Sequence, residues 1–322
     1  LHRRMTEAEL RHALGDRIYD AFAPDDALYN HDAEDPDGNV TLGQTGEDET
    51  VEINRRAAES DLVIYVNINM VAMDGGHKSV PVGLSTYKSV RHHHNVATML
   101  TPESYMDPSA STFHRSCDRM GAVAAEHLKI FTIETTLNSD TFSHLLGFLQ
   151  KREARWSWSD HLNFRANKLA LSALPGPLRR KAYTALPAPY GLTGVHAGMT
   201  DSVHDKTIQA VHEQQLVDVE GQADILLVGL PSIGPYNVDS ILNPILVQCL
   251  SAGYFFNFYR GKPLVRAGGV MIVVHPLENK FHRMHHPSYI EFFHRLLPES
   301  TDADFLREHY EEEFAKNPIY IE

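Results

Sequence analysis

A lysine and the end of a histidine run, sixteen residues apart, are the positions of this sequence best suited to chemistry. Lys78 follows the glycine pair Gly75 and Gly76, and the histidine run ends at His94. Two glycines let the backbone approach a ligand closely, and the lysine amine can meet a phosphate or form a covalent bond. The stretch therefore predicts a ligand-binding turn that carries a reactive lysine.

Three predicted elements position these residues. The apolar run at 62–66 predicts a short strand, and residues 85–90 predict the start of a helix that ends in the histidines at 92–94. A continuation of this helix is predicted at 96–100. In α/β proteins, a strand followed by a glycine turn and a helix presents ligands at the carboxyl end of the sheet.

The remaining patterns favour an α/β fold. We predict two α/β domains with mostly parallel sheets and an active-site cleft between them. The N-terminal domain is placed at 1–221, with a helical insertion at about 141–189, and the C-terminal domain at 222–322.

Further predicted elements are a helix at 6–14 ended by Gly15, a hairpin of 39–42 with 50–54, a loop at 111–118, a helix at 120–127, a strand at 128–137, two insertion helices separated by 174–177, a helix at 205–219, and strands at 222–229 and 267–275.

Composition excludes several classes of function. The formal charge of −13 disfavours binding to nucleic acid or to an anionic membrane. No apolar run reaches the roughly 18 residues of a membrane-spanning helix. Cys117 and Cys249 lie far apart in the sequence, so they predict no disulfide framework and fit a reducing, cytoplasmic location.

The string GGHKSVPVGLSTYKSVRHHH resembles the signature of the nickel-dependent lactate racemase family. The resemblance implies a cofactor, the nickel-pincer nucleotide (nickel pyridinium-3,5-bisthiocarboxylic acid mononucleotide), joined to Lys78 through a thioamide. It implies Gly75 and Gly76 beside this cofactor and His94 as the protein ligand to nickel. The segment LHRRMTEAEL is similar to a second motif of the family, and it places a catalytic base on His2. Lys78 and His94 complete the implied catalytic set.

The same resemblance implies an isomerase, a racemase or epimerase of small 2-hydroxy acids. A base removes the hydroxyl proton, a hydride moves from C2 to the pyridinium ring, and its return to either face inverts the centre. Cofactor-maturation enzymes are implied partners, and protein made without them is expected in the apo form. A homo-oligomer is compatible with the sequence.

One departure from the family pattern concerns its second base. That base lies ten residues before the lysine, which is Ile68 here, between Asn67 and Asn69. An amide cannot act as a general base, so the sequence predicts a substitute base or a one-sided reaction, such as epimerisation of a larger hydroxy acid. The candidates for a substitute base are His275, His285 and His286.

Two further departures leave alternative functions open. Ser240 and Asn243 stand where the family carries residues that bind the substrate carboxylate. One alternative is an enzyme of the same fold that transfers a hydride from a different hydroxyl substrate. The other is a non-catalytic paralogue that binds the nucleotide or an acidic metabolite.

Overall fold

The computed structural model describes residues 5–99, 101, 103–138, 142–143, 145–185, 190–230, 242–282, 287–314 and 317–321. The strands are β1 (Asn39–Gln44), β2 (Thr50–Asn54), β3 (Val63–Asn69), β4 (Ile130–Asn138), β5 (Gly191–Gly198), β6 (Ala223–Gly229) and β7 (Val265–Val274). The α-helices are α1 (Glu7–Leu14), α2 (Asp16–Phe22), α3 (Arg55–Ala58), α4 (Ser79–Gly83), α5 (Tyr87–Val90), α6 (Val96–Met99), α7 (Thr112–His127), α8 (Trp158–Ala173), α9 (Gly176–Thr184), α10 (Thr200–Gln215), α11 (Pro244–Gln248), α12 (Ser288–Glu291), α13 (Ala303–Phe314) and α14 (Pro318–Ile321). Short 3₁₀ turns occupy Gly76–Lys78, Gly147–Gln150, Glu153–Arg155 and Phe255–Asn257, and π-helical turns occupy Cys249–Tyr254 and Phe292–Leu296.

Within the described residues, the strands form three small sheets: a β1–β2 pair, a sheet in the order β3–β4–β5, and a β6–β7 pair. The α/β class is confirmed, and β6 runs parallel to β7. The β1–β2 and β4–β5 pairings are antiparallel, unlike the mostly parallel sheets expected from the sequence. For β1 and β2 the reason is the short connection, because parallel strands need a crossover of a dozen or more residues.

The described residues fall into two compact units. The first holds those within 1–64, 71–131 and 217–322, and the second holds those within 65–70 and 132–216. The domain boundary at 221/222 and the cleft between domains stay predictions. None of the described helices has the length and the hydropathy needed to cross a membrane.

Several predicted elements are confirmed at their local signals. Thr6 caps α1 in a reciprocal pair with Glu9, and Gly15 ends the helix at φ 80°. The predicted hairpin is the antiparallel pair β1–β2. The predicted strand at 62–66 is β3, which continues to Asn69.

The single helix predicted from 85 to the histidines is wrong. Helix α5 has only four residues, and Thr86 before it is extended, with φ −95° and ψ 167°. The edge of the hairpin causes the break, since Asn54 N donates to Leu84 O at 2.8 Å and Ser85 forms a β-bridge with Ile53. The three histidines therefore follow α5 in turns.

The loop predicted at 111–118 is also wrong, because α7 runs unbroken from Thr112. Ser111 caps it by accepting a hydrogen bond from His114 N at 3.4 Å. On its buried face, Met120 packs against Val51 and Val80 in the core of the first unit. Burying a side chain of this size stabilises a fold by about 1.5–3 kcal/mol, so this contact fixes α7 against the hairpin and α4.

Candidate functional site

The glycine turn has the backbone conformation that its sequence predicts. Gly75 has φ 85° and Gly76 has φ 65°, both in the left-handed region that disfavours side chains with a Cβ. Both glycines are buried. They direct the chain from the segment after β3 into the 3₁₀ turn Gly76–Lys78 and then into α4. Lys78 is thereby held at the junction of two rigid elements.

Helix α7 packs directly on this turn through a glycine that the sequence analysis did not single out. A Cβ on Gly121 would lie 2.4 Å from Cβ of His77, far inside van der Waals contact. The contact is to the root of the His77 side chain, so relief requires movement of backbone. The sequence did contain a signal for this contact, because a glycine within an alanine-rich helix commonly marks a position of close packing.

We expect Gly121→Ala to move the lysine turn and to destabilise the first unit. The new methyl group overpacks a filled interface, which typically costs about 1–3 kcal/mol. Urea unfolding should show a lower midpoint. The matched control is Gly83→Ala, because a Cβ at Gly83 meets no described atom within 4 Å and alanine favours helix. Equal midpoints for the two variants would contradict the close packing of α7 on the turn.

The Lys78 amine lies in a mostly enclosed position, with its side chain 15% exposed. It donates to the Met73 carbonyl, and Asp74 Oδ1 lies 3.9 Å from it. Burial lowers the pKa of Lys78, and the negative charge of Asp74 offsets part of this effect. A lowered pKa raises the fraction of neutral amine near pH 7, and the neutral amine is the nucleophilic form.

The His94 side chain is reached by solvent and is also packed closely by neighbouring protein atoms. Its side chain is exposed, yet burial by neighbouring atoms lowers its pKa to about 4, and the positive charge of Lys78 lowers it further. Both observations fit a ring at the open side of a concave surface. The imidazole is neutral at physiological pH, which is the form that binds a metal. The influence of the Lys78 charge also places the two side chains in one electrostatic environment.

Phe113 is the common neighbour of the histidines at this site. Its ring centroid lies 5.7 Å from that of His93, 5.3 Å from that of His94 and 5.1 Å from that of His114, all edge-on. His114 Nε2 lies 3.4 Å from the Met73 carbonyl, the same oxygen that accepts from Lys78. We call these five side chains the Phe113 cluster. The cluster contains both Lys78 and His94, and the catalytic and cofactor-binding roles predicted for them stay predictions.

A buried carboxylate ties helix α7, which carries Phe113 and His114, to the β1–β2 hairpin. Glu49, in the turn of the β1–β2 hairpin, accepts from Arg119 Nε at 2.9 Å and Nη2 at 2.6 Å. It also accepts from Ser116 Oγ at 2.5 Å and Thr45 Oγ1 at 2.7 Å. Burial raises the pKa of Glu49, but the hydrogen bonds from Arg119, Ser116 and Thr45 outweigh it, so the pKa is lowered overall.

We expect Glu49→Gln to destabilise the protein in a pH-dependent way. Hydrogen bonds to a charged group contribute about 1.5–3 kcal/mol, and the amide loses the charge. The pKa of Glu49 is lower in the folded protein than in the unfolded chain. Its stabilisation of the folded state is therefore fully present above the unfolded pKa of about 4.3, and it is lost as the pH falls through the pKa of the folded state. The difference in urea midpoint between wild type and variant should therefore shrink on acidification. Glu59→Gln, at an exposed residue 3.6 Å from Arg55, should change little at any pH.

Comparison with known proteins finds similarity to one family in the region of this site. The profile of the lactate racemase N-terminal domain matches residues 1–107, which include the glycine turn, Lys78 and His94. The curated lactate racemase of Lactiplantibacillus plantarum is 28% identical over 144 residues, 43% of this chain and 32% of that protein. Over residues 1–107, this chain is therefore similar to the lactate racemase family.

Two solved structures share the fold of this chain. The lactate racemase apoprotein from Thermoanaerobacterium thermosaccharolyticum superposes with a TM-score of 0.61 at 17% identity, over 99% of this chain and 60% of that one. A protein from Thermotoga maritima superposes with a TM-score of 0.55 at 14% identity, over 99% and 66%. The chain thus spans about a third of the curated relative and three fifths of the first structure.

The other predicted site residues either lie apart from this cluster or fall outside the described residues. His2, Ser240, His285 and His286 lie outside the described residues. His275 directly follows β7, and its Nδ1 accepts from Leu277 N at 2.9 Å. Their catalytic roles stay predictions. Among the residues that the structure describes, no three His, Cys, Asp or Glu side chains group into a metal site.

The two asparagines beside Ile68 belong to a polar network of the second unit. Asn67 Nδ2 donates to Asn69 Oδ1 at 2.6 Å, and Asn69 Nδ2 lies 3.5 Å from Glu134 Oε2. The same carboxylate oxygen lies 3.2 Å from His204 Nδ1. The asparagines therefore take part in a structural network, and Ile68 itself is 55% exposed.

Proposed function

We propose that this chain is a racemase or epimerase of 2-hydroxy acids that holds a nickel-pincer nucleotide through Lys78 and His94. One observation carries the proposal: an enclosed lysine amine of lowered pKa and an accessible, neutral imidazole occur in one cluster beside a glycine turn. The lactate racemase relatives support it, because they share both the sequence of this region and the fold.

The residues present fit the cofactor. Burial lowers the pKa of the Lys78 amine, which favours its nucleophilic neutral form, and the side chain is mostly enclosed. After acylation the nitrogen keeps one hydrogen, so its bond to the Met73 carbonyl can persist. Gly75 and Gly76 present bare backbone next to the tether, and His94 offers a neutral nitrogen donor, which suits nickel. When bound, the cofactor supplies an electrophilic pyridinium carbon that accepts a hydride from C2 of the substrate and returns it.

The chain itself must then move the hydroxyl proton of the substrate. The resemblance to the family assigns this task to His2 for one enantiomer. Ile68 has no titratable group, so it cannot serve the other enantiomer. The reaction then uses a different base, His275 among the described residues, or runs from one side.

Substrate recognition also differs from the family pattern. Asn243 is 2% exposed, and its Oδ1 accepts from Leu246 N at 3.0 Å as the cap of α11. This side chain is engaged in the fold and is not presented to a substrate carboxylate. Together with Ile68 it favours a second candidate within the same chemistry, a 2-hydroxy acid larger than lactate, such as a sugar acid.

The deciding experiment is an exchange assay on cofactor-loaded protein. The chain is produced together with the cofactor-maturation enzymes, its intact mass and nickel content are measured, and a panel of 2-hydroxy acids is incubated in deuterium oxide or supplied with deuterium at C2. Because a hydride returns to the carbon it left, we expect inversion with retention of the C2 label for at least one acid. A Lys78 adduct without turnover of any acid would favour the binding-only paralogue. An unmodified lysine would contradict the proposal.

A further inference from the structure

The residue before the proposed nickel ligand is a second histidine, and the two rings are bonded to each other. His93 Nδ1 and His94 Nδ1 lie 2.7 Å apart, a hydrogen-bond distance. His93 is 0% exposed, whereas His94 is exposed. Two bare nitrogens repel and two N–H groups clash, so one of these nitrogens carries the shared proton and the other accepts it.

The surroundings of His93 Nε2, the ring nitrogen that does not face His94, determine which nitrogen carries that proton. Nε2 of His93 is buried, and no described atom meets it in full hydrogen-bond geometry. The Pro81 backbone acts to raise the pKa of His93, which is the effect of a carbonyl near one of its N–H groups, and Nδ1 already faces His94. A carbonyl can only accept, so an N–H on Nε2 is favoured there and a bare nitrogen is not. A neutral His93 with its proton on Nε2 has a bare Nδ1, which accepts from His94.

Surrounding contacts hold the His93 ring in this orientation. Thr98 Oγ1 donates to the His93 carbonyl at 2.9 Å, which fixes its backbone. The Phe113 ring packs edge-on at 5.7 Å between centroids. A ring enclosed on these sides has little freedom to turn, so the direction of its bond to His94 is set by the fold.

We propose that His93 is a positioning residue that fixes the tautomer of His94, with the proton on Nδ1, so that Nε2 would be the nitrogen left to bind the metal. Histidine ligands of metals almost always donate their other N–H to a partner, and replacing that partner typically lowers metal affinity by about 10–100-fold. The metal part of this inference rests on the proposed function. The tautomer itself is a property of the protein without cofactor.

The first test reads that tautomer in the apoprotein. Nitrogen-15 NMR of ring-labelled histidine separates protonated from bare ring nitrogens, and difference spectra of His94→Ala and His92→Ala assign the signals. We expect His94 to carry its proton on Nδ1 in wild type. A proton on Nε2 of His94 would overturn the inference, whether or not the protein binds nickel.

The second test measures nickel retention in cofactor-loaded protein under a chelator. His93→Leu removes the acceptor and should release nickel at least about tenfold faster. His93→Asn places an amide oxygen near the position of Nδ1, so it should restore retention to within about threefold of wild type. His92→Ala, at the neighbouring ring, should match wild type. Equal retention by the leucine variant and wild type, or equal loss in both His93 variants, would overturn the positioning role.

These tests separate this inference from the proposed function. If His94→Ala retains nickel as wild type does, the assignment of the metal ligand fails, and the NMR result still reports the tautomer. If His94→Ala loses nickel and His93→Leu does not, the proposed function stands and the positioning role fails.

Discussion

Lys78→Arg is expected to abolish the covalent adduct and to lower turnover of the 2-hydroxy acid by on the order of a thousandfold or more, because the cofactor is no longer held at the site. Arginine keeps a positive charge that can face the Met73 carbonyl, so the fold of the turn should persist. Its guanidinium stays protonated at any physiological pH and cannot act as the nucleophile in acylation. Intact-protein mass spectrometry of co-expressed protein measures the loss directly.

The control for this experiment is Lys88→Arg. Lys88 lies ten residues further along, its side chain is 59% exposed, and Nζ lies 3.7 Å from Glu52 Oε1. An exposed ion pair of this kind contributes little, so both the adduct and the turnover should be those of wild type. If Lys78→Arg still carries the adduct mass, the attachment point is another residue and the proposed function loses its main support.

The lysine turn could be predicted because its signals are local. Adjacent glycines are needed where φ is positive, and the structure has Gly75 and Gly76 there. The β1–β2 hairpin and the cap of α1 are likewise determined by a few residues that are adjacent in the sequence. Such features depend on the conformational preferences of single residues, which a sequence displays directly.

The partners of Lys78 and His94 could not be predicted in the same way. The start of α7 reads as a loop because Ser111, Thr112 and Asp118 favour turns in isolation. Packing of the helix against the core outweighs these weak preferences, and this places Phe113 and His114 at the site. The break before α5 has a similar origin, since the hairpin edge that pairs with Ser85 is distant in sequence.

Strand β4 could be predicted from the sequence, but which of its two faces is buried could not. Its alternation predicts a strand, and the strand is confirmed. The buried face, however, is the polar one, with Thr132, Glu134 and Thr136 almost fully enclosed. These side chains are satisfied by hydrogen bonds, such as Thr132 Oγ1 to Thr200 Oγ1 at 2.9 Å. Hydrophobicity alone would place the opposite face inside, because it takes no account of partners from other elements.

His94→Ala is expected to separate the two attachments of the cofactor. Lys78 lies on the 3₁₀ turn that leads into α4, whereas His94 follows α5, so loss of the imidazole leaves the tether chemistry intact. The adduct mass should remain, the nickel should leave at least about tenfold faster under a chelator, and turnover should fall by about a hundredfold or more. Lys78→Arg, by contrast, should lose mass and metal together.

Because His94 is exposed, added imidazole should rescue His94→Ala, whereas it would not rescue a variant with a structural defect. The side chain reaches solvent, so its removal opens a site that a free imidazole can enter. Added imidazole should slow nickel loss in His94→Ala and restore part of the turnover, with no effect on Lys78→Arg or on His92→Ala. Nickel retention in His94→Ala equal to that of wild type would instead show that the ligand is another residue. The Phe113 cluster would then hold the tether without the metal, and the position of the nickel would have to be sought beyond His94.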